Sequence, residues 1–178
     1  MTTPFEISNL NDIAGLIDDL PRFDKDSAQA ATDRQNSLTK PPGALGRLEE
    51  IAIFMAGWQK TDRPKIEKAQ ALVFAGNHGI CAQGVNPFPQ EVTVQMVANF
   101  EHGGAAINQL CQANGADLSV VALDLDTPTA DFTTGPAMSE TECLDAMNKG
   151  AQAVDSASDI LILGEMGIGN STVAAALA

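Results

Sequence analysis

The sequence predicts an α/β protein: a parallel sheet with helices on both faces, Rossmann-like in layout, entered through a leading group of helices. Short continuous apolar runs at residues 72–75, 118–125 and 160–163 have the length and composition of parallel strands buried on both faces. Between them the apolar residues switch to helical spacing, so strands alternate with helices as in βαβ units. Loops at the carboxyl ends of such strands carry ligand sites, which directs attention to the residues just after Ala75, Leu125 and Leu163.

In chain order, Ser8 is placed to cap a first helix whose apolar positions Leu10, Ile13, Leu16, Ile17 and Leu20 share one face, closed by Pro21. A more polar helix is expected from Asp24 to about Leu38. Lys40-Pro41-Pro42-Gly43 then breaks the chain before Leu48, Ile51, Ala52 and Met55 restart helical spacing. After the first strand, Val92, Met96, Val97 and Phe100 predict one helix, and Ala106, Ile107, Leu110 and Cys111 another. Gly103-Gly104 divides them, and Gly115 ends the second. Ser139 and Glu142 form a capping box ahead of Cys143, Leu144, Met147, Ala151 and Val154. The last six residues, Val173-Ala174-Ala175-Ala176-Leu177-Ala178, are strong helix formers without a stop signal, as expected of a cut inside a helix.

Composition narrows the function. Ten basic residues against twenty-three acidic ones give a net charge of -13, a sign that repels nucleic-acid phosphates and anionic lipid. No stretch approaches the roughly 20 apolar residues of a membrane span, and residues 1–9 lack a leader pattern, so a cytoplasmic protein is expected. Cys81, Cys111 and Cys143 are widely spaced, form no Cys-x-x-Cys, and read as free thiols. Neither His78 nor His102 has a partner at metal-ligand spacing, and no nucleophile elbow is present, so neither a metal nor an acyl-enzyme is expected.

Three segments could carry chemistry. Residues 164–172, Gly164-Glu165-Met166-Gly167-Ile168-Gly169-Asn170-Ser171-Thr172, stand between a strand and an Ala-rich helix, where glycines let backbone N–H groups approach an anion at a helix N-terminus. The Walker lysine is absent and Thr172 replaces the third glycine of the dinucleotide fingerprint, which disfavours ATP hydrolysis and NAD binding. A phosphate site and a plain tight turn capped by Asn170 or Ser171 both remain open on this pattern. A functional Glu165 would meet a hydroxyl or a ring nitrogen rather than a phosphate. Gly76-Asn77-His78-Gly79-Ile80 puts a polar pair at a strand end, with His78 either a base or donor or a structural loop histidine. The loop from Asn86 to Thr93 is stiffened by Pro87 and Pro89 and centred on Phe88, which could stack on a flat ligand or belong to the core.

Thr39-Lys40-Pro41-Pro42-Gly43-Ala44-Leu45-Gly46-Arg47-Leu48-Glu49, Ala75-Gly76-Asn77-His78-Gly79-Ile80, Pro89-Gln90-Glu91-Val92-Thr93, Gly103-Gly104-Ala105-Ala106-Ile107-Asn108 and the turn at 164–172 occur in one order. Together they resemble the nicotinate-nucleotide:dimethylbenzimidazole phosphoribosyltransferase family, from about Leu38 to Ala178. The resemblance implies a cytoplasmic homodimer of cobalamin biosynthesis that needs no cofactor. It would move the phosphoribosyl group of nicotinate mononucleotide onto 5,6-dimethylbenzimidazole, releasing nicotinate. It also implies that residues 1–60 are helices of a small helical domain and that residues 61–178 are an α/β nucleotide-binding domain whose C-terminal half is missing. The family's general-base glutamate and a phosphate-holding lysine match no position here and would follow Ala178. The 178 residues alone are therefore expected to be inactive, and a non-catalytic nucleotide- or phosphate-binding module of the same fold is the alternative. Within the chain, Phe88, Gln90 and Met96 are candidates for an aromatic-lined slot, and Gly167, Gly169, Asn170 and Ser171 for the grip on the mononucleotide. Glu165 would stand near the ribose or the bases, with His78 in support.

Overall fold

The computed structural model describes residues 6–178 as two compact units. One runs from Ile13 to Glu67. The other joins the segment ending at Asp12 to Lys68–Ala178.

The first unit holds α1 (Asp12–Asp18, which begins at the unit boundary), α2 (Lys25–Ser37) and α3 (Arg47–Gln59). Helix α2 starts where its cap allows: the Asp24 carboxylate accepts from the Ser27 N–H at 2.8 Å, satisfying a first-turn donor. Helices α2 and α3 pack against each other, and Gly57 makes room for the Phe23 ring, whose Cε2 would lie 2.2 Å from a Cβ placed there. Phe23 meets Phe54 and Trp58, with centroids 6.4 and 5.6 Å away. The turn at Pro41-Pro42-Gly43 is closed by Lys40 and Glu49, whose ion pair spans 2.7 Å, and Glu49 also accepts from the Leu45 N–H. Lys40 holds the Glu49 carboxyl below its ordinary range.

Helix α1 departs from the expectation. It is a short helix with no buried residue, and Ser8 does not cap it. Asn9 supplies the turn instead, its side-chain oxygen accepting from the Asn11 N–H and its carbonyl from the Asp12 N–H. Ile17 and Leu20 stay exposed, so no packed face extends the helix in either direction.

The second unit is built on strands β1 (Ala69–Ala75), β2 (Ala116–Ala122) and β3 (Ile160–Met166), all parallel, in the order β2-β1-β3. A single-turn 3-10 helix (Gly79–Gln83), α4 (Glu91–Glu101) and α5 (Ala106–Asn114) connect β1 to β2, α6 (Glu140–Ala153) connects β2 to β3, and α7 (Asn170–Leu177) follows. Gly115 ends α5 at φ 67°, and the Ser139–Glu142 capping box opens α6. Gln70 ties β1 to the end of α6, donating to Ala153 O at 2.9 Å and accepting from the Asp155 N–H at 2.9 Å. Asn148 of α6 pairs with both backbone groups of Ile7, which brings the start of the chain into this unit.

Burial on both faces holds only for the central strand. Ala71, Leu72, Val73 and Ala75 of β1 are buried, whereas β2 alternates with solvent and β3 leaves Ile160, Leu161, Ile162 and Leu163 exposed. Two strand ends also differ. Strand β2 ends at Ala122: Leu123 still donates its N–H to Ala75 O, a last bond of the ladder, and Asp124 at φ 44° turns the chain away. Strand β3 runs through Gly164 and Glu165 to Met166, so the glycine turn proper begins at Gly167.

Candidate functional site

Strands β1 and β3 are in register from Ala69↔Ile160 to Ala75↔Met166, so the loops after them leave the sheet side by side. Their approach is close enough to require glycine. A Cβ on Gly167 would stand 2.3 Å from Gly76 O and 2.9 Å from His78 Nε2. One on Gly169, at φ +89°, would stand 2.9 Å from Cys81 Sγ. A Cβ on Gly79 would likewise stand 2.3 Å from Thr129 O of the loop after β2. The glycines that look like an anion cradle in the sequence thus have a packing duty as well.

Ile168 is gripped through both of its backbone groups. Its N–H donates to Thr93 Oγ1 of α4 at 3.2 Å, and its carbonyl accepts from Cys81 Sγ at 3.1 Å. Burial pushes the Cys81 thiol up, which keeps it a donor. The first turn of α7 is satisfied internally: Asn170 N–H donates to Gly167 O, Thr172 N–H to Gly169 O, and Ser171 N–H to the Asn170 side-chain oxygen at 2.7 Å. The Asn170 amide nitrogen donates to Glu165. The N–H groups of Gly167 and Gly169 find no acceptor among the described residues, so they are the donors left for an anion.

Beside these donors lies a cleft of about 270 Å³, walled by Val85, Pro87 and Phe88 on one side and by Met166 through Thr172 on the other. Phe88, Gly167, Gly169, Asn170 and Ser171 are therefore brought together. Gln90 and Met96 do not line this cleft. The Gln90 amide nitrogen donates to His78 O at 2.7 Å, fixing the loop after β1, and Met96 is half-buried in α4. Burial holds the half-buried His78 imidazole below its ordinary value and the nearby Glu165 carboxylate pulls it partly back, so His78 is neutral near pH 7.

A second cavity, about 370 Å³, opens on the other side of His78, between the loops after β1 and β2 and the face of α6 that carries Glu142, Asp145 and Lys149. Its wall includes Asn77, which donates to Leu125 O at 2.9 Å and is itself buried. No motif in the sequence marks this cavity. The spacing of Glu142, Asp145 and Lys149 was legible as one helix face, but such a face is ordinarily solvated.

A phosphoribosyltransferase family model matches residues 20–178. The chain is 65% identical over 173 residues to the nicotinate-nucleotide–dimethylbenzimidazole phosphoribosyltransferase of Rhodobacter capsulatus, covering 97% of this chain and 52% of that protein. It is 60% identical over 178 residues to the enzyme of that name from Roseobacter denitrificans, covering 100% and 52%. The chain belongs to the nicotinate-nucleotide–dimethylbenzimidazole phosphoribosyltransferase family. A crystal structure of the phosphoribosyltransferase of this name from Thermus thermophilus superposes with a TM-score of 0.80 at 38% identity, over 86% of this chain and 52% of that one. The chain accordingly spans about half the length of the curated relatives it matches.

Proposed function

We propose that the protein containing this chain transfers the phosphoribosyl group of nicotinate mononucleotide to 5,6-dimethylbenzimidazole, giving α-ribazole 5′-phosphate and nicotinate for the lower ligand of cobalamin. In this reaction the bond between ribose C1′ and the pyridinium nitrogen breaks, its electron pair leaving with nicotinate. A benzimidazole nitrogen supplies the pair for the new C1′–N bond, and the proton of its N–H passes to a general base. The pyridinium is already an activated leaving group, so the protein's work is alignment and acceptance of that proton.

The observation that carries the reading is the joining of an exposed aromatic wall, Phe88, to a turn whose Gly167 and Gly169 N–H groups are unpaired. The turn fits the phosphate and the wall fits a flat base, with Ser171 and Asn170 at the mononucleotide end and Glu165 on the ribose side. Neutral His78 supports the turn from behind rather than acting as the base. The base and a phosphate lysine belong to the portion after Ala178. The working protein is a cytoplasmic homodimer that binds neither nucleic acid nor membrane. Among the described residues no helix is long and apolar enough to cross a bilayer.

Ser171→Asp tests the site in the full-length protein. An aspartate in the first turn of α7 suits the helix N-terminus but repels a phosphate, so the fold persists while affinity for nicotinate mononucleotide falls by about tenfold or more. Calorimetric titration showing native affinity in a folded S171D protein would refute the assignment. Binding without turnover in the unsubstituted full-length protein would favour the non-catalytic module instead.

A further inference from the structure

The mononucleotide turn depends on two consecutive peptides that have no intrinsic reason to hold one orientation. Ile168 lies between Gly167 and Gly169, and glycine on either side leaves the Gly167–Ile168 and Ile168–Gly169 peptide planes free to rotate at little steric cost. The Gly169 N–H lies in the second plane, and the first links it to the plane of the Gly167 N–H, so rotation there would change how these two unpaired donors of the turn are aimed. Two side chains from elsewhere in the fold prevent it, Thr93 on the N–H of the first plane and Cys81 on the carbonyl of the second.

We infer that Thr93 is a positioning residue for nucleotide binding: its hydroxyl, completely buried in α4, fixes the Gly167–Ile168 peptide that links the two glycine donors, so that their N–H groups face the substrate phosphate. The inference rests on the reading of this turn as the mononucleotide site. An exposure of 0% is the first support, since a hydroxyl is kept from water at a cost unless it is hydrogen-bonded, and the Ile168 N–H is the partner the fold provides. The second support is reach. The contact joins residues 75 positions apart, from the helix after β1 to the turn after β3, so it cannot arise from local turn geometry. The third is the contact from Cys81, which fixes the following Ile168–Gly169 plane, the one that carries the Gly169 N–H, while Thr93 secures the plane next to Gly167.

The test is steady-state kinetics of the full-length protein with nicotinate mononucleotide and dimethylbenzimidazole for Thr93→Val, Thr93→Ser and Ser171→Asp, alongside thermal melts. Thr93→Val keeps the shape and removes the hydroxyl, so the orphaned peptide turns and KM for nicotinate mononucleotide rises about tenfold while kcat stays within about twofold. Thr93→Ser keeps the hydroxyl and restores KM, although the lost methyl lowers the melting temperature. A purely structural Thr93 would lower the melting temperature in both variants and leave KM native, and that result overturns the inference. Thr93→Ser behaving like Thr93→Val in KM would overturn it too. A rise in KM for Ser171→Asp with a native KM for Thr93→Val removes the positioning role alone, whereas native KM in both removes the site reading with it. Should Thr93→Val fail to fold, Cys81→Ala against Cys81→Ser poses the question from the carbonyl side: the alanine variant raises KM several-fold and serine restores it, and native KM in a folded Cys81→Ala protein counts against the clamp.

Discussion

Leu72 and Leu163 are register partners on adjacent parallel strands, yet Leu72 is wholly buried and Leu163 is 67% exposed. Ala71 and Ile162, the next pair, repeat the contrast at 0% and 44%. An apolar run therefore announces a strand without saying how far the faces of that strand are covered. Strand β1 is flanked on both sides and is the anchor of the unit, whereas β3 offers apolar side chains and an open edge.

The largest expected consequence is on stability. Leu72→Ala removes a fully buried side chain and should cost about 3 kcal/mol, while Leu163→Ala should cost less than about 1 kcal/mol. Chemical denaturation of the 178-residue chain measures both, and equal costs would break the comparison. A second expectation concerns association. Exposed Ile160, Leu161, Ile162 and Leu163 on an open edge favour self-association of this chain, and Leu163→Lys should reduce it without lowering stability. A compact monomer at high concentration by light scattering, before any substitution, would show that β3 is not adhesive.

The β1–β3 boundary also carries a smaller, pH-dependent effect. Folding lowers the His78 pKa, so the unfolded chain takes up its proton first. The stability contributed by neutral His78 is present above the ordinary value of 6.5 and is lost as pH falls through the folded value. Because the Glu165 carboxylate opposes that lowering, Glu165→Gln should move the His78 titration to still lower pH. NMR titration of the imidazole resonances reads this directly, and an unmoved titration would mean that the two groups do not sense each other.

Much of the fold was legible because its signals are local. Asp24 as a cap, the Ser139–Glu142 box, Gly115 at a helix end and the break at Pro41-Pro42 each act within one turn of chain. Helix α1 was overestimated because amphipathic spacing needs a surface to pack on, which spacing alone cannot supply. For the site, the glycine turn and Phe88 were visible as motifs, but their meeting in one cleft depends on strand order. The packing of Gly167 against Gly76 and His78, the commitment of Gln90 to His78 O and the grip of Thr93 on Ile168 are long-range contacts with no local signature.

We propose that the turn after β3 holds the phosphate of nicotinate mononucleotide. A crystal structure of the full-length protein with nicotinate mononucleotide tests it most directly. We expect a phosphate oxygen about 2.7–3.2 Å from the Gly167 or Gly169 nitrogen, with a ring of the ligand toward Phe88. A phosphate lodged instead in the cavity beside Lys149, with the Gly167–Gly169 turn empty, would contradict it.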